Sequence, residues 1–108
     1  MEEKDLINTW MCYKISNGER EDLKQEDNTS EMTFYEDGRL VYRFTKDNIS
    51  SSDHQNRHWK IEKKNDTLFL LINEEPTYQV ISLQDGMLVL ESIKNKTKGY
   101  RNRRKGYY

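Results

Sequence analysis

Short runs of apolar–polar alternation, each closed by turn-forming residues, dominate this chain, and that pattern leaves few folds open to it. Successive side chains on a strand point to opposite faces, so a period of two marks a half-buried strand. Residues 9–15 set Trp10, Cys12 and Lys14 against Met11, Tyr13 and Ile15. Residues 31–36 place Met32 and Phe34 on one face, and Asp37-Gly38 then supplies a tight hairpin turn. Residues 39–45 alternate again, with Leu40, Tyr42 and Phe44 against Val41 and Arg43.

The second half follows the same logic. Trp59 and Ile61 stand opposite His58, Lys60 and Glu62, and Asn65-Asp66 turns the chain into the nearly continuous apolar run 67–72. Pro76 reads as a break in the next connection, before 77–83 alternates Tyr78 and Val80 against Gln79 and Ile81. Gln84-Asp85-Gly86 leads into 87–93, with Leu88 and Leu90 on one face. Seven strands are predicted, with an eighth within 98–104. Residues 2–8 fit one helical turn, and the polar stretches 17–30 and 47–56 read as loops. A meander of hairpins must hide two edges, and closing into an up-and-down barrel does so in one step. The fold class is therefore all-β: an antiparallel up-and-down meander of seven or eight strands forming a small β-barrel. About eight strands enclose an interior that side chains fill or that holds one small ligand.

With 108 residues the chain makes a single domain, 1–108. Charged residues reach 34%, yet a net charge of -1 and 11% aromatics favour a small folded core over disorder. No apolar run approaches the roughly 18 residues of a membrane-spanning helix, and a single cysteine builds no disulfide framework. Met1 runs straight into Glu2, Glu3, Lys4 and Asp5 without an apolar segment. A cytoplasmic chain fits that start if Met1 is native; an envelope or secreted one fits if an export signal has been removed. Charge is polarised: residues 1–37 carry net -7, residues 94–108 carry net +7.

Several segments resemble the small bacterial lipocalin-like domains. Leu6-Ile7-Asn8-Thr9-Trp10 is similar to their opening, where a Gly-x-Trp motif starts the first strand, although Asn8 stands where Gly is frequent. Met32-Thr33-Phe34-Tyr35-Glu36-Asp37-Gly38-Arg39 resembles their Thr-Phe-x-x-Asp-Gly hairpin. Trp59-Lys60-Ile61, Asp66-Thr67-Leu68-Phe69-Leu70, Tyr78 to Leu83 and Met87-Leu88-Val89-Leu90 follow in the family's order. The resemblance covers roughly residues 5–93, leaving a basic tail at 94–108. It implies a lipocalin-like barrel, small-ligand binding without catalysis, and a basic residue, Arg101 or Arg103, stacked over Trp10.

On this pattern Phe34, Tyr42, Phe44, Trp59, Leu70, Tyr78 and Leu90 face inward, with Trp10 as the structural base of the barrel. They either line an apolar pocket, with Tyr42 or Tyr78 offering a hydroxyl, or fill the interior. In the tail, Lys94, Lys96, Lys98, Arg101, Arg103, Arg104 and Lys105 interleave with Tyr100, Tyr107 and Tyr108, a pattern that suits a polyanion. The sequence pI of about 6.1 weighs against general affinity for nucleic acid. His54 and His58, with Asp53, converge on a metal only if helical, and they lie in a loop leading to a strand. No metal or cofactor is expected. Nothing activates a Cys12–His58 pair, and the 5 glycines are scattered at turns rather than gathered in a phosphate loop. The expectation is a non-catalytic domain that binds a small hydrophobic or amphipathic molecule. The alternatives are a protein-interaction module with a packed core, or polyanion binding through the basic tail.

Overall fold

The three turns that join residues 57–92 into consecutive hairpins each place two consecutive residues at positive φ, the twist that a two-residue hairpin demands. Asn65 and Asp66 have φ of 51° and 65°, Asn73 and Glu74 have 53° and 68°, and Asp85 and Gly86 have 53° and 72°. In the earlier Asp37-Gly38 turn, Gly38 sits at φ 94°, where a side chain would be strained. The Asp37 carboxylate accepts the Arg39 backbone N–H at 3.0 Å and its Nε–H at 2.8 Å. Those contacts, the backbone bond foremost, hold the Asp37 carboxyl below its ordinary range.

A computed structural model describes residues 2–17, 20–23, 28–46, 49–52, 56–95 and 98–104. After a single 3-10 turn (Glu3–Asp5), ten strands follow in chain order. They are β1 (Thr9–Asn17), β2 (Arg20–Leu23), β3 (Asn28–Phe34), β4 (Arg39–Lys46) and β5 (Ile49–Ser52), then β6 (Arg57–Lys64), β7 (Thr67–Ile72), β8 (Glu75–Gln84), β9 (Met87–Ser92) and β10 (Lys98–Arg104). Eight of them run β10-β9-β8-β7-β6-β4-β3-β1, every pair antiparallel, and β10 pairs back onto β1 from Trp10↔Arg104 to Asn17↔Lys98. The predicted all-β, up-and-down barrel is the observed fold, and the eighth strand expected within 98–104 is β10, which closes it.

Two stretches expected to be loops carry strand. β2 pairs the outer half of β1 at Lys14–Asn17, and β5 pairs the outer half of β4 at Arg43–Lys46. All four residues of β5 are exposed. A strand with no buried face leaves no alternation in the sequence, because its backbone ladder alone holds it. Pro76 also differs from expectation: the turn lies at Asn73-Glu74, and Pro76 sits inside β8 opposite Leu71. The register shifts there, between Leu70 and Leu71, and a bulge tolerates a residue lacking an N–H.

One end of the barrel is packed solid. Leu6, carried inward by the 3-10 turn, is fully buried with Trp10, Phe34, Leu40, Leu70 and Leu88. Trp10 Nε1–H donates to the Leu6 carbonyl at 3.0 Å, so the N-terminal segment is bolted across the barrel base. Phe34 meets Trp59 edge to face, with centroids 5.2 Å apart, and Trp59 Nε1–H donates to the Tyr35 carbonyl at 3.0 Å. Both indoles thus bury their rings and satisfy their polar atoms.

The arginine expected over Trp10 lies elsewhere. The Arg103 guanidinium stacks on Tyr13, 4.8 Å from its centroid, and Arg101 is exposed. Asn102 between them is buried, so strand parity turns both arginines outward. The residue paired with Trp10 is Arg104, and the two border one crevice at the closed end.

Candidate ligand cavity

Above the packed floor lies a pocket of about 550 Å³ that opens to solvent, within the size range of small-ligand sites. Strand parity builds its wall. On β4, Tyr42 and Phe44 follow the buried Leu40 at intervals of two; on β10, Tyr100 and Asn102 share one face. Met32 and Ser30 continue the face of Phe34 on β3, and Cys12 continues that of Trp10 on β1. Ile72, Thr77, Tyr78, Leu90 and Arg57 complete the lining.

Aromatic rings make up much of that wall. Tyr78 and Tyr100 meet edge to face at 5.7 Å, while Tyr42 and Phe44 stack with centroids 6.4 Å apart. The Arg57 guanidinium lies 4.7 Å from the centroid of the Tyr42 ring, and the Lys98 ammonium 5.7 Å from that of Tyr100. Arg57 is the one charged side chain among the described residues that line the cavity. Phe44 is 49% exposed and marks the lip.

The predicted inward set therefore divides by height. Tyr42, Phe44, Tyr78 and Leu90 border the cavity, whereas Phe34, Trp59 and Leu70 belong to the floor with Trp10. Expectation based on apolar character passed over Ser30, Arg57, Thr77, Tyr100 and Asn102. For Arg57 and Ser30 the parity was visible all the same, since Arg57 stands two residues before Trp59 and Ser30 four before Phe34. The tail is likewise redistributed. Tyr100 faces the cavity instead of alternating with cations on the surface, and Lys96, Lys105, Tyr107 and Tyr108 lie outside the described residues.

Burial pushes the Tyr78 phenol above its ordinary pKa, and the neighbouring Tyr42, Tyr100 and Cys12 add to the shift, as does a hydrogen bond with Tyr42. The unfolded chain ionises this group near pH 10, while the folded chain keeps it neutral to higher pH. Above that pH the native state binds more protons than the unfolded one, so the contribution of this group is level below about pH 10 and lowers stability as pH rises beyond it. Urea unfolding measured from about pH 8 to pH 11 checks this, and Tyr78→Phe is expected to flatten the alkaline decline. An equal decline in Tyr78→Phe would assign it to other groups.

Other expected sites resolve simply. His54 and Asp53 lie outside the described residues, and His58 is exposed, its backbone N–H donating to Asn73 Oδ1 at 2.9 Å. Among the described residues, no group of three or more His, Cys, Asp or Glu is placed to hold a metal ion, and no helix is long and apolar enough to cross a membrane. Cys12 is a buried thiol on the cavity wall and forms no disulfide.

Fold and site together define a closed eight-stranded antiparallel barrel, with a packed floor at one end and an aromatic-lined pocket towards the other. No protein-family model, no curated protein and no solved structure matches the chain.

Proposed function

We propose that this chain is a non-catalytic, lipocalin-like binding protein that takes a small apolar or amphipathic molecule into the open half of its barrel. The observation that carries this reading is the aromatic cavity lying above a floor that is already packed. The aromatic lining and a mouth open to solvent favour a bound molecule over an interior filled by side chains alone. Entry of an apolar body would release water from the rings of Tyr42, Phe44, Tyr78 and Tyr100, burying ligand and wall together. The Tyr42 and Tyr78 hydroxyls supply polar contacts, and Arg57 suits an anionic or hydrogen-bond-accepting head group.

The test is thermal unfolding with decanoate, decanol, naphthol and anilinonaphthalene sulfonate, paired with titration of the dye's fluorescence. A true ligand gives saturable binding and raises stability by about 2.7 kcal/mol at a hundredfold excess over Kd. Tyrosine emission is the better intrinsic reporter, since Trp59 sits in the floor and three tyrosines border the cavity. No response to any of the four would overturn the reading in favour of a module that acts through its outer surface.

A further inference from the structure

One buried group makes little sense as packing. Asn102 is 1% exposed and is the only buried polar side chain among the described residues. It stands opposite Cys12 on β1 and Leu88 on β9, at the level where floor gives way to cavity, and it borders the cavity. Its Nδ2 donates to the Leu88 carbonyl at 3.2 Å. Among the described residues none donates to its amide oxygen.

A buried acceptor with no donor loses its hydration and receives nothing in return, which is why such groups are rare in native proteins. Leucine has nearly the same shape and would fill the floor without that loss. Retention of an amide at this level points to something outside the chain that completes it. The chemistry of the missing partner follows from the free atom. A carboxamide oxygen only accepts, so a partner to it must donate; the second Nδ2 hydrogen can donate to that same group if it also accepts, as a hydroxyl does. The tyrosine hydroxyls nearby both donate and accept, and so do not discriminate between donor and acceptor ligands. The Asn102 oxygen is met only by a donor.

We propose that Asn102 is a specificity-determining residue whose amide oxygen accepts a hydrogen bond from a hydroxyl or N–H group on the inserted end of the cavity ligand. The proposal rests on the cavity-binding reading above and adds the ligand's polarity to it. The molecule enters with a donor leading, its apolar body lies against the tyrosines, and any acidic group trails towards Arg57. A plain fatty acid inserted tail first leaves the amide unmet and is a poor fit.

A matched probe pair tests this in the intact protein. Naphthol and methoxynaphthalene share one ring system, and only the first can donate. Their affinities are measured by calorimetry on the unmodified chain and on Asn102→Leu. The expected result is that the unmodified chain binds naphthol about tenfold more tightly, as one neutral hydrogen bond supplies, and that Asn102→Leu binds the two alike. Equal affinities in the unmodified chain would overturn the proposal while leaving cavity binding intact; a water held permanently on the amide gives this result. A preference that survives in Asn102→Leu also overturns it, by assigning recognition to another group. Binding of neither probe overturns this proposal, and the cavity reading falls with it only if decanoate, decanol and anilinonaphthalene sulfonate also fail to bind. Equal affinities in the unmodified chain decide against the proposal even if Asn102→Leu does not fold, and Asn102→Ala then supplies the variant comparison.

Discussion

Replacing Trp10 by alanine is expected to destabilise the protein by about 3–5 kcal/mol, a large part of the total for a domain of this size. The indole is 1% exposed and packs in the floor cluster with Leu6, Phe34 and Leu88, so its removal opens a cavity that rigid strands cannot collapse into. It also strips the Leu6 carbonyl of the donor at 3.0 Å that ties the N-terminal segment across the barrel base. Trp10→Phe separates the two effects. It keeps most of the ring burial and loses the N–H, so its expected cost is about 1–3 kcal/mol. Urea midpoints for the two variants and the parent chain check the order. A Trp10→Ala loss below that of Trp10→Phe would show that the floor is not organised around this residue.

Blocking the cavity should abolish binding without harming the fold. Ser30 lies on β3 opposite Cys12 and Phe44 and borders the cavity above the floor. Tryptophan at this position projects an indole into the hollow, where it occupies the volume a ligand needs and meets aromatic neighbours. Binding of naphthol and of anilinonaphthalene sulfonate is expected to fall by about a hundredfold or more, on the order of 3 kcal/mol. Stability should hold or rise, because the added apolar surface is buried in space that was empty. Fluorescence titration and thermal unfolding of Ser30→Trp read both quantities. Undiminished dye binding would place the dye on the outer surface and remove the cavity from its role.

Alternation in the sequence was enough to reveal the strands with a buried face, because burial imprints a period of two on them. β1, β3, β4, β6, β8 and β9 were visible in this way, and β7 as a nearly continuous apolar run. β2 and β5 were not, since Arg-Glu-Asp-Leu and Ile-Ser-Ser-Ser carry no such imprint. Parity also names the face of a residue but not its height in the barrel. Trp59 and Tyr42 both face inward, yet one packs against Phe34 in the floor and the other carries Arg57 at the cavity wall. Height depends on the stagger between neighbouring strands, which pairs Arg57 with Leu40 and Ile72 with Trp59, and no local pattern encodes that stagger. Asn102 was illegible for a different reason. A polar residue between two arginines at the chain's basic end looks solvated until the closing strand turns it inward.

That closing seam bears on how the molecule is made. Trp10 and Arg104 are paired neighbours although almost the whole chain separates them. On the ribosome, every hairpin from β3–β4 onward can zip as it emerges, but β1 has no final neighbour until β10 has left the exit tunnel. Until then the growing meander is an open sheet with two adhesive edges, the condition in which nascent β-proteins cross-pair and aggregate. The strand of the barrel that emerges last is therefore the one that ends this exposure, and the protein's yield in a cell should depend on chaperone capacity during that interval.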